Sequence, residues 1–137
     1  MGYDTRAVLK SGMAFDIEQH GHHLTADADA SHGGTGYGPS PRSLMLSALS
    51  GCTGMDVVAI LGKMQMPYDS FALEISATGA TEHPHVFTEV HIKYLFTGSE
   101  VDTAKVEKAV KLSLEKYCPV AATLKHTATI TWEVVVS

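Results

Sequence analysis

The chain of 137 residues has only two cysteines, few charged residues and no cluster of Lys or Arg. Two cysteines 66 positions apart, Cys52 and Cys118, are too few for a disulfide framework or a cysteine-based zinc site. A net charge of −5 argues against a nucleic-acid surface, which needs clustered positive charge. The chain does not open with a basic segment followed by an apolar one, so no secretory signal is expected. The expected compartment is the cytoplasm, where both thiols stay reduced.

Charge is also absent from Ser43 to Met55, which raises the question of a membrane span. Serine, threonine and glycine residues dilute this segment, and Asp56 follows it at once. A spanning helix needs about 20 predominantly apolar residues. We therefore expect a buried helix and no membrane partner.

The first forty residues alternate between short strand patterns and turn residues. The predicted strands are Thr5–Lys10, Met13–His20 and His23–Ala30, and their close spacing indicates an antiparallel meander. The segment GGTGYG at 33–38 predicts a flexible loop, a hinge beside a site. It precedes a helix as a phosphate loop does, but the Lys-Ser/Thr of that motif is absent.

A long helix is predicted to begin at Pro41, with Ser40 as its N-cap, and to run to about Met64 before Pro67. About 24 residues span roughly 36 Å, close to the diameter of a small domain. Apolar residues on nearly every side predict burial all round. Because one chain of this size cannot easily cover such a helix, we infer that a second copy covers it, in an intertwined dimer.

The remaining segments predict strands, then a helix, then a strand. The predicted elements are the strands Ser70–Gly79 and Val86–Gly98, a helix Asp102–Tyr117, a short helical turn Pro119–Lys125 and a strand Thr127–Val136. Alternation in the second of these strands predicts a half-exposed strand and not a central one. An apolar stripe along the helix ends at Tyr117. This order predicts an α+β fold in a single domain, residues 1–137.

Local chemistry distinguishes the two thiols. Cys118 precedes Pro119 at a predicted helix start, where free N–H groups lower the pKa of a thiol. Cys52 lies mid-helix among apolar residues, where burial raises the pKa of a thiol. Asp56 follows one turn later on the same face and needs a hydrogen-bond partner. Two inert buried thiols are the alternative that these residues leave open.

The eight histidines do not predict a metal site. They cluster around turns, as in the runs at 20–23 and 83–85, with no zinc spacing to cysteine. Exposed turn residues are the simpler interpretation, and we expect no metal and no cofactor.

Two segments together resemble the OsmC/Ohr family, which comprises osmotically inducible protein C and the organic hydroperoxide resistance proteins. They are GPSPRSLMLSALSGCTGMDVV at 38–58 and AVKLSLEKYCPVAATL at 109–124. The similarity is to the OsmC-like branch, and the segment FTEVHIKYLFTG at 87–98 also fits. The resemblance implies an OsmC-like fold, in which antiparallel sheets wrap two long central helices in an intertwined homodimer with two sites at the interface.

For function, the resemblance implies a thiol-dependent peroxidase that reduces organic or inorganic hydroperoxides in oxidative or osmotic stress defence. Cys52 would attack the O–O bond, and Cys118 would resolve the resulting sulfenic acid as a disulfide. A small dithiol or another thiol reductant would restore the pair. The resemblance therefore makes Cys52 the reactive thiolate, whereas the local sequence around each cysteine favours Cys118.

One family feature is missing from this chain. Peroxidase members pair a glutamate early in the long helix with an arginine from the N-terminal strands, but the matching positions here are Arg42 and Ser43. We hypothesise that Arg42 supplies the charge that activates Cys52, and Arg6 and Lys10 are the other nearby cations. Ser43, Asp56 and Glu115 are the other candidate supporting residues. The alternatives are a non-enzymatic stress-related binding or sensing dimer with a hydrophobic interface pocket, or another thiol chemistry such as acyl or persulfide handling.

Overall fold

The computed structural model of the protein describes Gly2 and residues 4–137. Met1 and Tyr3, which the predicted domain includes, lie outside the described residues. The chain divides into two compact units, Met1–Ser47 and Ala48–Ser137, and the boundary falls within a long helix. Each unit has its own three-stranded sheet.

The sheet of the first unit is the predicted antiparallel meander. Strands β1 (Arg6–Ser11), β2 (Ala14–Gln19) and β3 (His22–Ala26) pair in sequence order. The third strand is shorter than predicted and ends at Ala26, because the next residue, Asp27, bonds to the loop that follows. The Asp27 N–H donates to the carbonyl of Pro39 at 3.0 Å.

The loop that its glycines predicted to be flexible is held by the buried carboxylate of Asp27. This carboxylate accepts the backbone N–H groups of Ala28, Thr35 and Tyr37 at 2.7, 3.2 and 3.1 Å. Burial raises the pKa of Asp27, but these N–H donors lower it by more, and the net shift is downward. Gly34 packs against the backbone so closely that a Cβ there would lie 1.5 Å from the carbonyl oxygen of Ala28. The loop is therefore held in place by its hydrogen bonds to Asp27 and by the close packing of Gly34.

Helix α1 (Pro41–Lys63) begins and ends within one residue of the prediction. The Ser40 hydroxyl accepts the Ser43 N–H at 3.2 Å, the capping bond expected of a serine before Pro41. By length and composition α1 could cross a membrane, with a mean hydropathy of 1.7. Core helices of globular proteins share these properties.

The single chain covers α1 on one side, as expected if a second copy completes the predicted burial. Four of its buried positions, Leu49, Thr53, Val57 and Leu61, follow one stripe four residues apart, and the fifth, Gly54, lies beside it. On other sides Met55 is 75% exposed and Val58 47% exposed. One chain therefore covers only one face of this apolar helix.

The second unit contains a mixed sheet. Strands β4 (Ser70–Gly79), β5 (Phe87–Thr97) and β6 (Thr129–Val136) lie in that order. β4 pairs antiparallel with β5, but β6 pairs parallel with it, so the expectation of purely antiparallel sheets is corrected. The parallel pairing follows from the helical crossover between β5 and β6.

The prediction that the second of these strands is not central is also wrong, because β5 lies in the middle of the sheet. Its alternation arises because only one face of the sheet is packed. The buried side chains of β5 are Phe87, Val90, Ile92, Tyr94 and Phe96. The register skips one residue opposite Thr78 and Gly79, so Phe87 is buried and Val86 is 37% exposed, the reverse of a simple alternation.

The predicted helix 102–117 consists of two segments. α2 (Thr103–Leu112) is capped by the Asp102 carboxylate, which accepts the Ala104 N–H at 3.0 Å. A π-helical turn, Ser113–Tyr117, and then helix α3 (Pro119–Leu124) follow. The wider turn rotates Tyr117 off the buried stripe, where a regular helix would have placed it, and it is 51% exposed.

Candidate functional site

The two thiols occupy different structural positions. Cys52 lies in α1, one residue before the buried Thr53, and is half-buried. Cys118 is the N-cap of α3, with Pro119 in the first helical turn, and its side chain is only 3% exposed. The Cys118 sulfur accepts the Ala121 N–H at 3.3 Å, in the way that a serine or aspartate caps a helix.

The structure brings these two side chains together. Cys52 and Cys118 are free thiols, with no disulfide between them, and their side chains are hydrogen-bonded. Residues 66 positions apart in the sequence thus meet where α1 lies beside the start of α3. Both sulfur atoms are reduced, and they are not at the distance of a disulfide bond.

The environment of Cys118 overturns the expectation of a lowered pKa. Burial of the thiol raises its pKa most, and the hydrogen bond to Cys52 raises it further. The Ala121 N–H at the helix start lowers it by less, and the net result is a pKa of about 11. Cys118 therefore keeps its proton at neutral pH.

Next to the thiols, a chain of hydrogen bonds between buried or half-buried side chains joins β5, α1 and the π-helical turn. The Thr53 hydroxyl lies 2.7 Å from the Tyr94 hydroxyl of β5 and 2.8 Å from the Ser113 hydroxyl. Ser113 in turn donates to a carboxylate oxygen of Asp56 at 2.8 Å. We call Tyr94, Thr53, Ser113 and Asp56 the hydroxyl chain.

Two parts of the hydroxyl chain lie directly beside the cysteines. Thr53 is the neighbour of Cys52 in sequence, and the carbonyl of Ser113 accepts the Cys118 N–H at 2.8 Å. Burial raises the pKa of Tyr94 to about 12, and the charges that Cys118 and Asp56 can carry raise it as well. Tyr94 is therefore a neutral hydroxyl across the physiological range.

Among the other predicted residues, Asp56 has contacts that lead to the thiol pair, through Ser113. Arg42 and Ser43 lie on the first turn of α1, in the first unit, where the Ser43 hydroxyl donates to the Ser40 carbonyl at 2.9 Å. Glu115 is exposed on the π-helical turn. These positions leave the roles of Arg42, Ser43 and Glu115 as hypotheses.

The sequence analysis missed Thr53, Tyr94 and Ser113. Ser113 falls on the apolar stripe of its helix, and Thr53 falls in an uncharged run. A hydroxyl residue at a position that the pattern marks as buried needs a partner, and this signal could have selected both. Tyr94 resembles any other apolar residue of an alternating strand.

Two hollows flank this region of the second unit. One, of about 350 Å³, is lined by Asp56, Ala59, Ile60, Lys63, Leu112 and Tyr117. The other is an apolar groove of about 420 Å³, lined by Ser50, Gly51, Gly54, Met55, Val58, Ala59, Phe71 and Leu73. Among the residues that the structure describes, no group of three or more His, Cys, Asp or Glu side chains is placed to hold a metal ion.

The fold and the paired cysteines define a small α+β protein with two reduced thiols in contact. A family model described as OsmC-like protein matches residues 33–133. Protein YhfA of Escherichia coli strain K12 is 37% identical over 93 residues, which are 68% of this chain and 69% of YhfA. The chain belongs to the OsmC-like protein family.

Solved structures agree with this assignment. A hypothetical protein from Aquifex aeolicus VF5 has a TM-score of 0.82 and 31% identity, over 100% of this chain and 99% of that chain. An organic hydroperoxide resistance protein OsmC from Legionella pneumophila has a TM-score of 0.72 over 98% of each chain. At 17% identity, this second likeness shows a shared fold. The predicted family and the α+β class are confirmed.

Proposed function

We propose that this protein is a thiol-dependent hydroperoxide reductase of stress defence, in which Cys52 is the attacking thiol and Cys118 the resolving one. The proposal rests on one observation above the others: the two thiols are close enough for Cys52 to raise the pKa of Cys118, but they are unequal. Cys118 is buried and keeps its proton, whereas Cys52 is half-buried. Of the pair, Cys52 is the sulfur that a peroxide can reach.

The reaction has three balanced steps. The Cys52 thiolate attacks one oxygen of the hydroperoxide and becomes a sulfenic acid, while the other oxygen leaves with a proton as an alcohol or as water. The Cys118 sulfur then attacks the Cys52 sulfur, and its proton leaves with the sulfenic hydroxyl as water. A dithiol reduces the resulting disulfide and is itself oxidised to a disulfide.

A second copy of the chain completes the proposed assembly. The apolar groove beside Gly51 and Gly54 presents Met55 at 75% and Val58 at 47% exposure. The absence of a Cβ atom at Gly51, which has no neighbouring atom within 4 Å of that position, lets another helix approach closely. We place two sites in a homodimer, each beside this surface.

The proposed activator of Cys52 is Arg42, on the first turn of the same helix. In a Cys118→Ser background, Arg42→Ala should raise the pH at which Cys52 is half-alkylated by iodoacetamide. Lys63→Ala, which removes a cation at the other end of α1, is the matched control and should leave it unchanged. An unaltered alkylation profile in Arg42→Ala would exclude this role.

The apolar groove also favours a second candidate, a non-enzymatic binding or sensing dimer. In that case the groove holds a hydrophobic ligand and the thiols react slowly with oxidants of any kind. The missing family glutamate supports this alternative. It predicts that detergent-like or fatty ligands protect Met55 from oxidation and that hydroperoxides leave both thiols intact.

Turnover distinguishes the candidates. The purified protein, cumene hydroperoxide and dithiothreitol should together consume peroxide, and Cys52→Ser should abolish consumption. Cys118→Ser should strongly reduce turnover with a dithiol, since the sulfenic acid then has no internal partner. Equal rates in wild type and Cys52→Ser would remove the proposed activity and favour the binding role.

A further inference from the structure

Ser113 forms hydrogen bonds beside both cysteines, one with the backbone of Cys118 and one with the neighbour of Cys52. Its carbonyl accepts the Cys118 N–H at 2.8 Å, and its hydroxyl lies 2.8 Å from the hydroxyl of Thr53, the residue after Cys52. The Ser113 side chain is 0% exposed, so neither bond competes with water. This one residue therefore links helix α1 at Cys52 to the backbone at Cys118.

The bond to Cys118 depends on the π-helical turn. In a regular α-helix the N–H of residue 118 would donate to the carbonyl four residues earlier, at position 114. Here it donates five residues back, to Ser113. Single π turns of this kind are frequent at functional sites. The wider turn gives Ser113 its double role.

The carboxylate of Asp56 fixes the direction of the hydroxyl chain. An ionised carboxylate only accepts, and each hydroxyl has one proton to donate. Because Ser113 donates to Asp56, Thr53 must donate to Ser113 and Tyr94 must donate to Thr53. A single half-buried carboxylate thus orients three hydroxyls behind the thiol pair.

We propose that Ser113, oriented by Asp56, is a positioning residue for the resolving step, in which the Cys118 sulfur attacks Cys52 after its oxidation. This inference rests on the proposed function. Disulfide formation requires Cys118 to move along the line of the S–O bond of the Cys52 sulfenic acid. The Ser113 carbonyl and hydroxyl hold the two backbones in the alignment that this approach needs. The preceding attack on peroxide uses Cys52 alone and does not need it.

The test separates the two steps by rapid quenching after one equivalent of cumene hydroperoxide. Dimedone traps the Cys52 sulfenic acid, and intact mass reports the disulfide. Asp56→Ala should slow disulfide formation about tenfold relative to sulfenic acid formation, the effect of losing one buried hydrogen bond. Asp56→Asn keeps an acceptor oxygen for Ser113 and should restore the wild-type rate.

Ser113→Ala should show the same step-specific defect. If Ser113→Ala does not fold, the comparison of Asp56→Ala with Asp56→Asn still tests the proposal, because Asp56 is only half-buried. Equal disulfide rates in wild type and Asp56→Ala would overturn the positioning role and leave the proposed function standing. Equal slowing of both steps would also overturn it. A wild-type protein that forms neither sulfenic acid nor disulfide would instead remove the proposed function, and this inference with it.

Discussion

At the scale of single residues, the surroundings of each sulfur matter more than its place in the sequence. Cys118 stands at a helix start, which lowers the pKa of a thiol, yet burial and the bond to Cys52 raise it to about 11. The local sequence contained the helix start and the proline. It could not show the burial, which comes from segments far away in the chain.

Stability should therefore depend on the protonation of Cys118 in alkaline solution. The pKa is raised from 9.0 to about 11 on folding, so the folded protein holds a proton that the unfolded chain loses between these values. The stabilisation is complete below about pH 9 and is lost as pH rises toward 11. Urea unfolding across this window should show a steeper decline in wild type than in Cys118→Ser, whose hydroxyl does not ionise. Parallel curves would contradict the assignment.

The Tyr94 hydroxyl should contribute to stability through Thr53. Tyr94→Phe removes the donor 2.7 Å from a fully buried oxygen and should lower the free energy of unfolding by about 1–2 kcal/mol. Tyr117→Phe, at a tyrosine that is 51% exposed, is the matched control and should change little. Chemical denaturation measures both, and a Tyr94→Phe protein as stable as wild type would show that this bond adds nothing.

At the scale of elements, the helix and strand features that depend on neighbouring residues in the sequence were predicted well. Ser40 and Pro41 marked the start of α1, and alternation marked β4 and β5. The parallel pairing of β6 was not predictable, because it depends on how the crossover returns to the sheet. The π-helical turn at 113–117 was missed as well, since its residues fit a regular apolar stripe.

Likewise, the thiol contact was expected only from the family resemblance, and the hydroxyl chain was not expected at all. Ser113 and Thr53 lie 60 residues apart, so no local pattern joins them. Their positions became meaningful once the fold had placed α1 beside the π-helical turn. Buried hydroxyl residues are the sequence signal that a future prediction could use.

The cap of α2 should have a measurable effect on stability. Asp102→Ala removes the carboxylate that accepts the Ala104 N–H and should cost about 1 kcal/mol, the usual effect of losing an N-cap. Asp102→Ser keeps an acceptor and should recover most of the loss. Glu100→Ala, at an exposed neighbour, controls for the change in charge. Thermal unfolding compares them, and an Asp102→Ala protein matching the Glu100→Ala one would show that the cap is dispensable.

At the scale of the whole molecule, the uncovered side of α1 supports the proposed homodimer. A single chain buries only one stripe of this helix, although its composition suits burial all round. The apolar groove is the surface that a second copy would cover. The sequence predicted that a partner is needed, and we propose that it covers the surface around the exposed Met55 and Val58.

A charge in the apolar groove should separate the copies. Met55→Glu places a carboxylate at a side chain that is 75% exposed in the single chain, so the chain should still fold while the dimer dissociates. Met13→Glu, at a methionine that is 51% exposed on the first unit, is the control. Sedimentation velocity should show a dimer for wild type and Met13→Glu and a monomer for Met55→Glu. A monomeric wild type, or a dimeric Met55→Glu, would contradict the proposed interface.

The most direct test of the central claim is the intact mass and free-thiol count of the reduced protein after one equivalent of cumene hydroperoxide. The account predicts rapid loss of both thiols and a mass lower by two hydrogens, with Cys52 and Cys118 joined in the peptide map. Cys52→Ser should keep its remaining thiol under the same conditions. Two thiols that survive the oxidant in wild type would contradict the account and leave the binding role as the better explanation.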